Sequence, residues 1–313
     1  MKIIARRFPM PEYANLGLGV VICVIFASIK GLEPQAATWI EILLAVAVLI
    51  LMPMARELQE DSEDLPVSAD TEFTAAFLLI LALLGIGPAW VSLALTCPWL
   101  CLRVWDAGHA VYAGFQETAR TPAYLCRLSA RIFPAIGAAW LVAYRAGWMP
   151  FGFDALIVLL TAAHFHHAGF TLPLMAGLCG KSLPGKMSRG SCLFILAGVP
   201  LVALGITCTH FQTLPWVEPL SVCVLVVGAL GVALLQMKMA FQKGLHDGAK
   251  MLFGLSGVSL FIAMMLALGF GLRYFLPSGA LSMRAMWAVH GSLNTFGFGL
   301  GGLLAWRCLH KTL

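Results

Sequence analysis

The chain is 313 residues long, 60% hydrophobic and only 11% charged, with a mean hydropathy of +0.88. That balance excludes a soluble globular domain and indicates a polytopic membrane protein. The formal charge of +5 needs no nucleic-acid partner, because basic residues retained beside membrane spans account for it.

A helix rising about 1.5 Å per residue needs about 20 apolar residues to cross a hydrocarbon core about 30 Å thick. Runs of this kind fall at 15–32, 37–54, 73–87, 88–102, 132–149, 152–178, 190–209, 219–237, 251–272 and 283–305. The expected fold is therefore all-α: a transmembrane helical bundle of about ten spans, with nine to eleven compatible, forming one integral membrane domain over 1–313. The amino-terminal MKIIARR has the basic start of a secretion signal. Pro9, Pro11 and Glu12 interrupt it and no small-x-small cleavage site follows, so it reads as an uncleaved first span.

After the second run comes the segment 56–72, RELQEDSEDLPVSADTE, with seven acids, one base and no apolar periodicity. Such a charge run reads as a solvated cytoplasmic loop. The third and fourth runs are short and separated only by Gly87-Pro88. The alternative there is one kinked helix followed by a helix over 103–118. Charge placement sets the orientation, since Lys and Arg beside spans stay in the cytoplasm. With both termini inside, every basic residue except Lys30, Arg145, Arg273 and Arg284 falls on the inner side. The expected setting is a bacterial cytoplasmic (inner) membrane, crossed many times. The nine cysteines lie mostly within spans and form no CxxC pair, which fits small apolar packing residues.

Ionisable groups inside a bilayer are costly and usually face the protein interior, so the few present here are the candidates for function. The first cluster is VWDAGHAVYAGFQETART, 104–121. Asp106, His109 and Glu117 fall within one sector of a helix, with Tyr112 and Arg120 near it. The second is LTAAHFHHAGF, 160–170. His164 and His167, three positions apart, share a face, whereas His166 points roughly opposite His164. A regular helix therefore cannot give all three to one metal ion; Gly169 and Pro173 could loosen it enough to do so. Asp154 lies about 80° away around the same helix. In the last span, WAVHGSLNTFGF, His290 and Asn294 stack at i, i+4 beside glycines that allow close helix approach. One shared internal pocket is the expectation.

The run IGAAWLVAYRAGWMPFGFDALIVLLTAAHFHHAGF, 136–170, and HGSLNTFGFGLGG, 290–302, resemble the YndJ-like family of bacterial integral membrane proteins through an HFH-x-AGF segment and a later HG-x-x-N-x-x-GF segment. The resemblance covers the second half of the chain well and the first three spans poorly. It implies a multi-span bacterial membrane fold and a functional role for His164, His166, His290 and Asn294, but no reaction. His167 stands where the resemblance implies an aromatic residue.

The leading functional expectation is an integral membrane enzyme of isomerase, cyclase or lyase type. It would act on a lipophilic, isoprenoid- or polyketide-like molecule drawn from the membrane lipid phase, by cyclisation, isomerisation, dehydration or epoxide opening. Histidine and carboxylate can divide acid and base roles in such a site. His164 and His290 would be donor and base, with Asp154, Asp106 or Glu117 setting protonation. Asn294, His166, His109, Tyr112 and Arg120 would bind substrate. No cofactor is required, although a single Zn or Fe ion on His164, His167 and His290 would give a hydrolase or oxidase; no HExxH or paired HxxHH box supports it. The rival from another class is a proton-coupled small-molecule transporter using the same groups as a relay. Oligomeric state is not legible.

Overall fold

A computed structural model describes residues 10–31, 35–59, 66–275 and 282–312, with side chains from Ala14 to His310. Within them every regular element is helical: α1 (Met10–Lys30), α2 (Ala36–Gln59), α3 (Ala69–Leu83), α4 (Ala89–Gln116), α5 (Pro122–Arg145), α6 (Ala155–Ser182), α7 (Lys186–His210), α8 (Val217–Ala240), α9 (Asp247–Gly271) and α10 (283–312). Six of these, α2 and α5 to α9, are long and apolar enough to cross a membrane. Residues 60–65 of the acidic segment lie outside the described residues. Its flanks do not: Arg56 and Glu57 are in the last turns of α2, and Asp70 and Glu72 are in the first turn of α3.

Local chemistry sets the boundaries. The Ser68 hydroxyl caps α3 by accepting from the Thr71 N–H, and Thr121 caps α5 in the same way from Tyr124, with Pro122 in the first helical position. Asp154 caps α6 by accepting from the Ile157 N–H at 2.9 Å. Between α3 and α4 the chain turns through Gly85 and Gly87, both at positive φ (71° and 81°), a conformation that only glycine adopts without strain. The third and fourth runs are thus two helices. The alternative helix over 103–118 does not start anew: α4 continues unbroken from Ala89 to Gln116. Nothing stops it at Arg103, because that charge is neutralised within the bundle.

In α6 the regular helix ends at His167 and resumes at Thr171. Pro173 has no N–H for the Gly169 carbonyl, four residues back, so the ladder loosens just beyond the histidines rather than among them. His166 therefore stays on the face opposite His164. α2 is the central rod, with 72% of its apolar window buried, against 33% for the peripheral α7. Two rods carry wider π-helical turns, α2 at Ala47–Leu51 and α10 at Met286–His290 and Leu293–Leu300. Such turns interrupt helices most often where a side chain or function demands it.

Candidate functional site: a histidine junction between two ionic clusters

The α6 histidines, the first half of α2 and the π-helical part of α10 meet in the bundle interior. His167 Nε2–H donates to the Leu43 carbonyl of α2 at 3.2 Å, which leaves Nδ1 with a lone pair, buried and unpartnered. His164 presents a buried, unpartnered Nε2. It lies within electrostatic reach of His167 and of His290. His290 is held differently. Its Nδ1–H donates to the Ala263 carbonyl of α9 at 2.8 Å, and Asn294 Nδ2 donates to its Nε2 at 3.2 Å and to its backbone carbonyl at 2.8 Å. The i, i+4 stacking of His290 and Asn294 is thus present, in a π-helical stretch.

His166 points the other way and is fully enclosed. Its Nδ1–H donates to the Ala162 carbonyl at 2.8 Å, and its Nε2 accepts the indole N–H of Trp99 at 3.0 Å. Both nitrogens are satisfied, as expected for a neutral structural imidazole. Over the Trp99 ring stands the guanidinium of Arg103, 4.6 Å from its centroid.

Arg103 begins a buried ionic chain at one end of the bundle. It donates to Glu72 at 2.7 Å and approaches Asp106 at 3.9 Å. Glu72 also receives Arg56 at 2.7 Å, and Asp106 receives Arg131 at 2.8 Å. Arg131 in turn donates to His109 Nδ1 at 3.2 Å. Burial works to raise the Glu72 carboxyl, and the Arg103 and Arg56 guanidinia overcome it, holding the group below the usual carboxylate range. Glu72 stands before the apolar run that begins at Phe73.

At the opposite end is a second cluster, centred on Glu41 of α2, which is only 3% exposed. Lys30 pairs with it at 2.7 Å and the Tyr144 hydroxyl donates to it at 3.2 Å. Next to Tyr144, Arg145 donates to Ser92 at 3.0 Å.

The single pocket expected from the sequence is therefore not assembled as such. His164, His167 and His290 come together. Asp154 does not join them, being spent as the α6 cap. Asp106 and His109 enter the bundle but belong to the ionic chain. Glu117 accepts from the Ala119 N–H beyond the end of α4, Arg120 donates to the Phe115 and Glu117 carbonyls there, and Tyr112 is exposed. Because 106, 109 and 117 share a sector only while the helix continues, its end at Gln116 separates the last from the first two. Nor do the histidines make a metal ligand set. Both nitrogens of His290 are engaged, and among the described residues no three His, Cys, Asp or Glu side chains are grouped as an ion requires. Sequence reasoning overlooked Glu41, Glu72, Arg56, Arg103 and Trp99. Glu41 had a signal, as the carboxylate within the apolar run 37–54; the arginines were absorbed into the flanking-charge pattern.

Fold and site together define a multi-pass helical membrane protein with ionisable groups enclosed in its interior. The chain belongs to the YndJ-like protein family, whose sequence model matches residues 37–298. It is 29% identical over 241 residues to the uncharacterized membrane protein YndJ of Bacillus subtilis (strain 168). That match covers 74% of this chain and 41% of the relative, so the chain spans less than half of the relative's length. No solved structure matches it significantly.

Proposed function

We propose that the protein is a proton-coupled membrane transporter of a small polar solute, and that the His164–His167–His290 junction exchanges the proton. In this reading all ten rods cross a bacterial cytoplasmic membrane, with the Arg56–Arg131 end inside. The observation that supports it is the pair of ring nitrogens, His164 Nε2 and His167 Nδ1, left buried without partners where three rods meet. An unsatisfied buried polar atom costs about 1–3 kcal/mol, a cost that proton uptake or a passing solute would offset.

The chemistry follows from the hydrogen bonds. With its Nε2–H given to Leu43, neutral His167 can accept a proton only at Nδ1, on a ring within electrostatic reach of His164. Two neighbouring imidazoles cannot both be charged cheaply, so a proton taken by one is passed on rather than doubled. Charging the junction would strain the contacts among α2, α6 and α10. The π-helical turns and the break before Thr171 give those rods alternative packings into which that strain can relax.

The test is protein-driven proton movement in liposomes carrying a trapped pH dye and filled with the small-molecule fraction of a bacterial extract, so that a co-transported solute is present. The wild type should collapse an imposed pH gradient, and His164→Ala and His167→Ala should slow it about 100-fold. No protein-dependent movement, with or without the extract, would reject the reading. A chemically altered lipid appearing without proton movement would favour the acid–base enzyme instead.

A further inference from the structure

We infer that Glu41 is the proton port linking the histidine junction to the end of the bundle where α1 meets α2, with the Tyr144 and Thr161 hydroxyls as the steps between. This rests on the transporter reading and extends it to residues that reading does not use.

Three observations carry it. First, Glu41 is a carboxylate near the start of a central apolar rod, and it sits about 3 Å of helical rise from Leu43, whose carbonyl holds His167. Arg56, at the other ionic cluster, is about 22 Å further along the same helix, so α2 carries ionisable groups separated by about three quarters of the hydrocarbon core. Secondly, Glu41 is enclosed but not sealed: its partner Lys30 has a side chain 22% exposed, against 4% for Glu41 itself. A cation with access to solvent can swing away and return. Thirdly, the two helices between Glu41 and the junction each carry a hydroxyl, Tyr144 on α5 and Thr161 on α6. Tyr144 donates to Glu41 and packs, with Ile157, against the small cluster of Ala143, Phe153 and Val158. Ile157, Thr161 and His164 follow at i, i+4 and i+7 on one face of α6, with the Thr161 hydroxyl bonded to the Ile157 carbonyl.

The proton balance is simple. A histidinium at His164 gives up its ring proton and becomes neutral imidazole. Glu41 gains that proton as a carboxylic acid, and Lys30, losing its counter-ion, turns its ammonium to solvent. Release of the proton from Glu41 to the aqueous side restores the carboxylate and the ion pair. Among the described residues, the charged group paired with Glu41 is Lys30 of α1, and Arg145 of α5 stands over the ring of Tyr144, 5.8 Å from its centroid.

The test uses the full chain in the same dye-loaded liposomes. Glu41→Gln and Glu41→Asp are compared with His164→Ala and with a Lys30→Met/Glu41→Gln double variant, which removes the charge without stranding the lysine. Expected are about a 100-fold loss of proton movement in both Gln variants and retained movement in Glu41→Asp, with the midpoint of its pH profile displaced. If both Gln variants keep the wild-type rate while His164→Ala loses it, the port is wrong and the junction stands. If Glu41→Asp works with an unshifted midpoint, Glu41 is a brace and the port is likewise rejected. A wild type that moves no protons overturns both readings.

Discussion

Glu72 shows at the scale of one residue how a charge can be kept inside this protein. It is 3% exposed and answers two guanidinia at once, so the charges compensate where neither could stand alone. Replacing it by Gln would leave Arg56 and Arg103 without their shared counter-ion, a loss of about 3–5 kcal/mol typical of one-sided removal from a buried pair. The expected result is a markedly lower melting temperature in detergent for Glu72→Gln. The pH dependence has a definite sign. Because the folded carboxyl is held below its ordinary value, its contribution is fully present above that ordinary value and is lost as pH falls through the lower folded one. Melting followed from neutral to acidic pH should show this loss in the wild type, and the variant should lack that component.

Close approach of the rods depends on glycine at particular places. A Cβ at Gly198 of α7 would lie 2.7 Å from the Leu225 Cα of α8, which is backbone and cannot turn aside. Gly198→Ala must push the two rods apart, at about 1–3 kcal/mol. Gly108 of α4 is the control, with nothing within 4 Å of such a Cβ. Gly108→Ala should be neutral or raise stability by up to about 1 kcal/mol through better helix propensity. Thermal melts of the two variants in one detergent check the contrast; equal losses would refute this account of the α7–α8 contact. The same scale explains what was legible along the chain. The run 152–178 placed most of α6, and Pro173 marked the loosening inside it, whereas the role of Asp154 as its cap and the turn through the paired positive-φ glycines between α3 and α4 emerged only from the backbone.

For the whole molecule, the sequence pattern and the rod order together predict alternation across the membrane. In a cysteine-free background, cysteines placed at Gly185 and Gly244 should be labelled from the cytoplasmic side by a reagent that cannot cross the bilayer, and those at Gly147 and Leu214 only from the other side. Any two of these on the wrong face would break the ten-crossing arrangement.

The sequence by itself determined the helical membrane class, the positions of most rods, the shared face of His164 and His167 with His166 opposite, and the i, i+4 pairing of His290 with Asn294. Each depends on hydropathy over about 20 residues or on the 100° step of one helix, which are local properties. Only the tertiary structure decided which charges meet. That Glu72 binds arginines from α2 and α4, that Asp106 answers Arg131, that Trp99 rather than a substrate occupies His166, and that Glu41 faces Lys30 and Tyr144 are matters of which rods lie side by side. That arrangement is fixed by packing between segments far apart in the chain, on which helical periodicity is silent.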